Sequence, residues 1–311
     1  MNAILDSPLL VVTEAEVNKI RNNLNLDTQR LKESVTILQE WCSKQDHFVT
    51  KDVDERILER LFILAKGSIE ATKQKLDKFL SSRTIFSDLT LKRNVDEFDK
   101  LLDLVNYVPL PKLSPTDLTR VMVTQFYTDK QDDLSILTYF RYCFLLGDYR
   151  LSKDYSFAER YIVDFKNIGI SMLGKINPVI VKKSEILCTE SYGTQIKGIH
   201  LLNAPSFVDK VIFILKQALK EKVANRIFVH NNYEDLHKHI PKSILPMDYG
   251  GDEPTVTKLA AQWKDELKSP ETKKYFQSFE NLVSDETLRR NGSLNTEFLG
   301  MQGSFRKLNV D

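Results

Sequence analysis

The sequence predicts an α/β fold, with an N-terminal helical bundle followed by a domain in which a largely parallel sheet is flanked by helices. Three observations predict it. Residues 13 to about 90 are dense in Leu, Glu, Lys and Arg and poor in Gly and Pro, with apolar residues at helical spacing. Three prolines between Val108 and Pro115 mark a connector, because each fixes φ and removes a backbone donor. Beyond it, short runs rich in β-branched and aromatic residues alternate with helical stretches, as in strands joined by crossover helices.

In the bundle, Leu31, Val35, Leu38 and Cys42 share one helical face. Val53 to Ala65 places Ile57, Leu58, Leu61, Phe62 and Leu64 in the same way, with Asp52 and Asp54 near its positive end. Gly67 stops that helix, and a third runs from Ile69 to Leu80. Strands are expected at Arg120 to Tyr127, Arg160 to Lys166, Ile196 to Asn203 and Ile227 to His230. Helices at Leu134 to Leu146, Pro178 to Tyr192 and Ser206 to Ala218 separate them. Val256 to Lys268 and Thr272 to Val283 read as amphipathic surface helices, and the Asn- and Gly-rich close from Ser284 is expected to be loosely held. The resulting division is 1–107 for the helical part, 108–255 for the sheet domain and 256–311 for C-terminal helices and tail.

The 311 residues carry 44 Lys and Arg against 43 Asp and Glu, so no global field draws the chain to nucleic acid or an acidic surface. Basic residues are not concentrated with stacking aromatics, which also argues against nucleic acid. Cys42, Cys143 and Cys188 are odd in number and far apart, which fits a reducing cytosol. Met1 to Val12 lacks the form of a signal peptide, Met1-Asn2 excludes myristoylation, and Asn309-Val310-Asp311 is no prenylation box. No window reaches the length of a membrane span. The expectation is a cytoplasmic protein whose membrane contact is peripheral and reversible.

Catalytic signatures are missing. The chain has no phosphate-binding loop ending in Lys-Ser or Lys-Thr, no Gly-x-Ser-x-Gly elbow and no His-Glu-x-x-His helix. His237 and His239 are two apart, poor spacing for two ligands on a helix, and read as a loop pair. His200, inside an apolar strand, reads as a satisfied core histidine. No enzyme, cofactor or metal site is expected.

The segment Ser206 to Ala218 is apolar round most of its circumference: Phe207, Val208, Val211, Ile212, Phe213, Ile214 and Leu215 are broken only by Asp209, Lys210, Lys216 and Gln217. A surface helix keeps a polar face. One flank of this one can pack on the domain while the other meets more core or a bound hydrophobic molecule. Further apolar faces are available to line a cavity. Ser184, Leu187, Cys188 and Tyr192 share a helical side, Tyr161, Val163 and Phe165 share a strand face, and Tyr139, Tyr142, Cys143 and Leu146 form a helical stripe. Each of these would equally fill an ordinary core.

The ordered run Gly198-Ile199-His200-Leu201-Leu202-Asn203-Ala204-Pro205, then Arg226-Ile227-Phe228-Val229-His230, His239-Ile240-Pro241 and Leu245-Pro246-Met247-Asp248-Tyr249-Gly250-Gly251, closely resembles the CRAL-TRIO lipid-transfer family. The tocopherol and retinaldehyde carrier branch is nearest, and Asp54 to Gly67 is similar to the helical lead-in of such domains, with fewer arginines. The resemblance implies a ligand cage lined by Tyr161, Val163, Leu187, Cys188, Tyr192 and Ile199, with Leu201 beyond, and a lid formed by residues 206–218. Where the tocopherol carrier presents serines this chain has Tyr142 and its neighbours, which points to a differently shaped lipid. Tocopherol, a retinoid, a carotenoid or another lipid would each satisfy the apolar lining.

The resemblance also implies phosphoinositide contacts at Lys197, Lys216, Lys222 and Arg226, although Gln195 replaces one lysine of the pattern. A solvated rim around the apolar helix is the plain alternative for these charges. The implied function is a carrier whose lid opens at a phosphoinositide-containing membrane. The alternatives are a lipid-dependent adaptor, with Gly303 to Leu308 as a docking peptide, or a lipid-modifying enzyme.

Overall fold

The computed structural model describes residues 7–126, 133–156 and 158–289. The expected tail peptide Gly303 to Leu308 and Tyr127, the last residue of an expected strand, lie outside them.

Side-chain caps start the N-terminal helices α1 (Glu14–Asn23), α2 (Thr28–Ser43), α3 (Glu55–Leu64) and α4 (Ile69–Ile85). Thr13 and Glu16 form a reciprocal capping box, and Asp27, Asp54 and Ser68 each accept a first-turn N–H. The α4 helix runs a turn past the expected Leu80. Its last turn buries Ser81, Ser82 and Arg83, polar residues that read as a helix end until their partners are known. Short helices α5 (Ser87–Thr90) and α6 (Asp99–Leu102) lead into the sheet.

The sheet has order β1 (Val105–Pro109), β2 (Thr119–Phe126), β3 (Ala158–Asp164), β4 (Ile196–Leu202) and β5 (Ile227–Val229). Strands β2 to β5 run parallel, and β1 pairs antiparallel with β2. The connector expected from Val108 thus begins as strand. Proline is tolerated because β1 is an edge strand and Pro109 is its last residue.

Helix α7 (Ile136–Lys153), capped by Ser135, crosses from β2 to β3 and continues past the expected end at Leu146, through Gly147. A Cβ at Gly147 would stand 3.4 Å from the Tyr192 ring, so the small residue lets that ring pack close. Helix α8 (Pro178–Ile186), capped by Asn177 with proline in its first turn, widens into a π-helical turn at Leu187–Ser191. Next come α9 (Val208–Ala218), α10 (Glu221–Ala224) and α11 (Tyr233–His237), then α12 (Val256–Lys268) and α13 (Pro270–Phe279).

Successive strand residues point to opposite faces. On one face Gln125 and Asp164 bond Asp248 and Tyr249, while Trp263 of α12 donates to the Pro109 carbonyl at 3.3 Å. On the other, Tyr107, Thr124, Tyr161, Val163, Ile199 and Leu201 face a cavity. The turn closing the first face is tight, since a Cβ on Gly251 would lie 2.0 Å from the Leu245 carbonyl oxygen. Gly251→Ala is expected to cost about 1 to 3 kcal/mol by displacing that turn, measured as a lowered urea midpoint.

Candidate functional site

A cavity of about 270 Å³ lies between the sheet and helices α3, α7, α8 and α9. That size lies just below the range of roughly 300 to 1,000 Å³ typical of small-molecule sites. Helix α7 supplies Tyr139 and Cys143, β3 supplies Tyr161 and Val163 with Phe165 just beyond it, and β4 supplies Ile199 and Leu201. Ser184, Cys188 and Tyr192 come from α8 and the turn after it.

Three of the expected lining residues are placed elsewhere. Tyr142 is one helical step round from Cys143 and packs tilted against Phe98 and edge-on to Tyr107, with centroids 5.3 and 6.4 Å away. Leu146, on the same stripe, is fully buried in the sheet-domain core. Leu187 points the other way, into the core of the N-terminal bundle. A stripe of four positions on a 3.6-residue helix spans more arc than one cavity wall needs.

Helix α9 covers one side. It starts two residues later than the sequence suggests, with Phe207 at its N-cap and no capping side chain. Val211 and Leu215 line the cavity, joined by Leu219 just past the helix. Phe207, Val208 and Ile212 pack against the surrounding core, and Ile214 is half-buried. Phe213, on the outer side, is 65% exposed. The helix is apolar inward and presents one large aromatic outward.

The walls hold little reactive chemistry. Burial pushes the Cys188 thiol up to about 12 and raises the Cys143 thiol and the Tyr139 and Tyr161 phenols well above their ordinary values. All four remain neutral near pH 7, so neither thiol is an activated nucleophile. Tyr139 and Thr124 share a hydrogen bond of 2.6 Å, and the Tyr161 hydroxyl donates to Glu159.

The polar end of this cavity, where Arg60 of α3, Arg150 of α7 and Glu159 of β3 meet, is not among the expected lining residues. Two signals were available. Arg150 continues the line Tyr139, Cys143, Gly147 at steps of four and three, and Glu159 lies two residues before Tyr161 on the same strand face.

The basic residues come from β4 (Lys197), α9 (Lys216), α10 (Lys222) and the position just before β5 (Arg226). Lys197, Lys216 and Lys222 are exposed, and Arg226 is half-buried, donating to the Ile196 carbonyl. Neighbouring Lys220 is already paired with Glu190. On the opposite sheet face, His200 is 1% exposed and shares a 2.9 Å hydrogen bond between its Nδ1 and His230 Nε2. Its Nε2 has no hydrogen-bond partner among the described residues, so the ring is only half-satisfied. His237 ends α11 rather than lying in a loop, and its ring bonds the Tyr249 carbonyl at 2.8 Å. His239 packs beside His200 and His230. Among the described residues, no cluster of His, Cys, Asp and Glu suits a metal ion, and no helix is long and apolar enough to cross a membrane.

Residues 118–251 match the family model described as the CRAL/TRIO domain. The mouse protein named alpha-tocopherol transfer protein-like is 25% identical over 249 residues, covering 77% of this chain and 71% of that protein. Its human namesake is 36% identical over 91 residues, 29% of this chain and 27% of that protein. Rat clavesin-1 is 32% identical over 91 residues, 29% of this chain and 26% of that protein. The solved structure of Sfh5 aligns with a TM-score of 0.45 and 14% identity, covering 84% of this chain and 100% of that one. With the parallel sheet, the apolar cavity and the covering helix in place, residues 118–251 of this chain are a CRAL/TRIO domain.

Proposed function

We propose that this chain is a carrier that holds a small hydrophobic lipid in the cavity and delivers it to membranes by displacement of α9. The single observation that carries the reading is the two-sidedness of α9, with Val211 and Leu215 on the cavity and Phe213 exposed. The mouse and human relatives are named as transfer proteins, and the neutral thiols and phenols of the walls support binding rather than bond-making.

Opening in water would expose Val211, Leu215 and Leu219 at about 1.5 to 3 kcal/mol for each fully exposed side chain, so α9 stays shut there. At a bilayer the acyl region replaces those contacts, and Phe213 enters it first. Lys197, Lys216, Lys222 and Arg226 would add roughly 1 kcal/mol each beside anionic headgroups, phosphoinositides included. A protein that works this way occupies the cytoplasm and touches membranes peripherally and reversibly.

Phe213 touches solvent rather than ligand, so it separates delivery from binding. Phe213→Asp is expected to slow transfer from protein to phosphoinositide-containing vesicles by about ten- to a hundredfold. Occupancy by lipid, read by native mass spectrometry followed by organic extraction, should not change. An unaltered transfer rate would rule out α9 as the docking element.

A further inference from the structure

The charged end of the cavity is electrically incomplete. Asp154 stands behind it, taking Arg120 Nη2 at 2.7 Å and Arg150 Nη2 at 2.9 Å, and Arg150 Nη1 also meets Glu159 Oε1 at 2.7 Å. Arg60 completes the group, donating from Nη2 to Ser156 Oγ at 3.2 Å. Three guanidiniums thus face two carboxylates.

The other acids nearby are committed elsewhere. Glu59 is held by Arg21 at 2.8 Å and by the Tyr155 hydroxyl at 2.5 Å, and Glu185 pairs with Lys182 at 3.1 Å. The Arg60 side of the group carries the deficit. Arg60 is only 7% exposed, yet its Nη1 has no hydrogen-bond partner among the described residues. Burial pulls its pKa down to about 10, with Arg150 opposing the charge further and Asp154 and Glu159 offsetting only part of the penalty. At neutral pH the guanidinium nevertheless stays charged, and a buried charge demands a counter-charge. Arg60 is a wall residue of the cavity, so that counter-charge can come with the guest.

We infer that the cavity takes an amphipathic acid, with its apolar body among Tyr139, Val163, Leu201 and Leu215 and a single carboxylate against Arg60 Nη1. The inference rests on the carrier reading and narrows its ligand class. One negative charge matches the one unbalanced guanidinium, and the single free donor edge suits a carboxylate better than a phosphate, which needs several donors. A neutral alcohol of the same chain would leave the charge uncompensated.

Oleate and oleyl alcohol share one hydrocarbon tail and differ at the head, so they isolate this contact. Each, delivered from cyclodextrin to the full chain at pH 7.4, is measured by equilibrium gel filtration. Oleate should bind at least about tenfold more tightly. Arg60→Met should bring the two within about threefold while keeping the affinity for the alcohol, and Arg60→Lys should retain the preference for the acid. Equal affinities in the parent chain would overturn the inference whether or not Arg60→Met folds, and so would a preference that survives in Arg60→Met. Failure of both compounds to bind would overturn the carrier reading with it, whereas binding of both without preference would overturn the acid head alone.

Discussion

Asp148→Ala is expected to destabilise the protein by about 3 to 5 kcal/mol, a large share of the roughly 5 to 15 kcal/mol that holds a typical domain folded. The Asp148 side chain is 1% exposed and accepts two bonds from Arg83 Nη1, at 3.0 and 2.8 Å. Arg93 and the Tyr192 hydroxyl donate to it as well. Burial, with the Asp148 charge beside it, holds the Tyr192 phenol well above its usual pKa, so it remains a donor. The same Arg83 reaches the carbonyls of Leu282 at 2.8 Å and Phe279 at 3.0 Å, and Tyr275 donates to the Asp148 carbonyl at 2.9 Å. One carboxylate therefore ties α4, α7, the π-helical turn and the C-terminal segment together. Its removal strands two buried guanidiniums, which costs more than deleting a whole pair. Urea unfolding followed by circular dichroism measures the loss, and Asp148→Ala/Arg83→Met should recover part of it. A loss under about 1 kcal/mol would show that the network does not hold these elements together.

That network also marks the limit of what was legible beforehand. Elements governed by local chemistry were readable: α12 runs from Val256 to Lys268 as its periodicity indicates, because Val256, Leu259, Trp263 and Leu267 recur on one buried face. The parallel strands differ from expectation by one or two residues at their ends. Strand β1 was hidden by Pro109, whose acceptability depends on an edge position that only the assembled sheet defines. The same distinction applies to the cavity. Tyr161, Val163 and Phe165 announce themselves by alternation along one strand, and Tyr139 and Cys143 by a helical step. Arg150 and Glu159 continue those same spacings, but Arg60 comes from a separate helix, and each of the three charges alone resembles a solvated surface residue. Leu187 looked like a wall because its helix was read as regular, but its side faces the bundle, where the turn departs from α geometry.

Acidification should destabilise the protein through His200, whose environment depresses its pKa to about 3. Burial is the main cause, with His230, His239 and Arg160 opposing the charge. Gly198 lies against the ring, and a Cβ there would stand 2.6 Å from His200 Nε2. The neutral tautomer with Nδ1–H donating to His230 leaves Nε2 an unpaired acceptor, which costs less than an unpaired N–H. Protonation would place a charged, partnerless N–H in that site. The unfolded chain takes up the proton near pH 6.5 and the folded chain only near pH 3, so stability is complete above about 6.5 and declines between the two values. The decline attributable to this group approaches about 5 kcal/mol at the acid end. His200→Asn keeps a side-chain donor for His230 without a titrating ring. It should lose some stability at pH 7.5 from the missing ring, yet show a shallower fall from pH 6.5 to 4 in urea titrations at each pH. Parallel curves for parent and variant would assign the acid sensitivity to other groups.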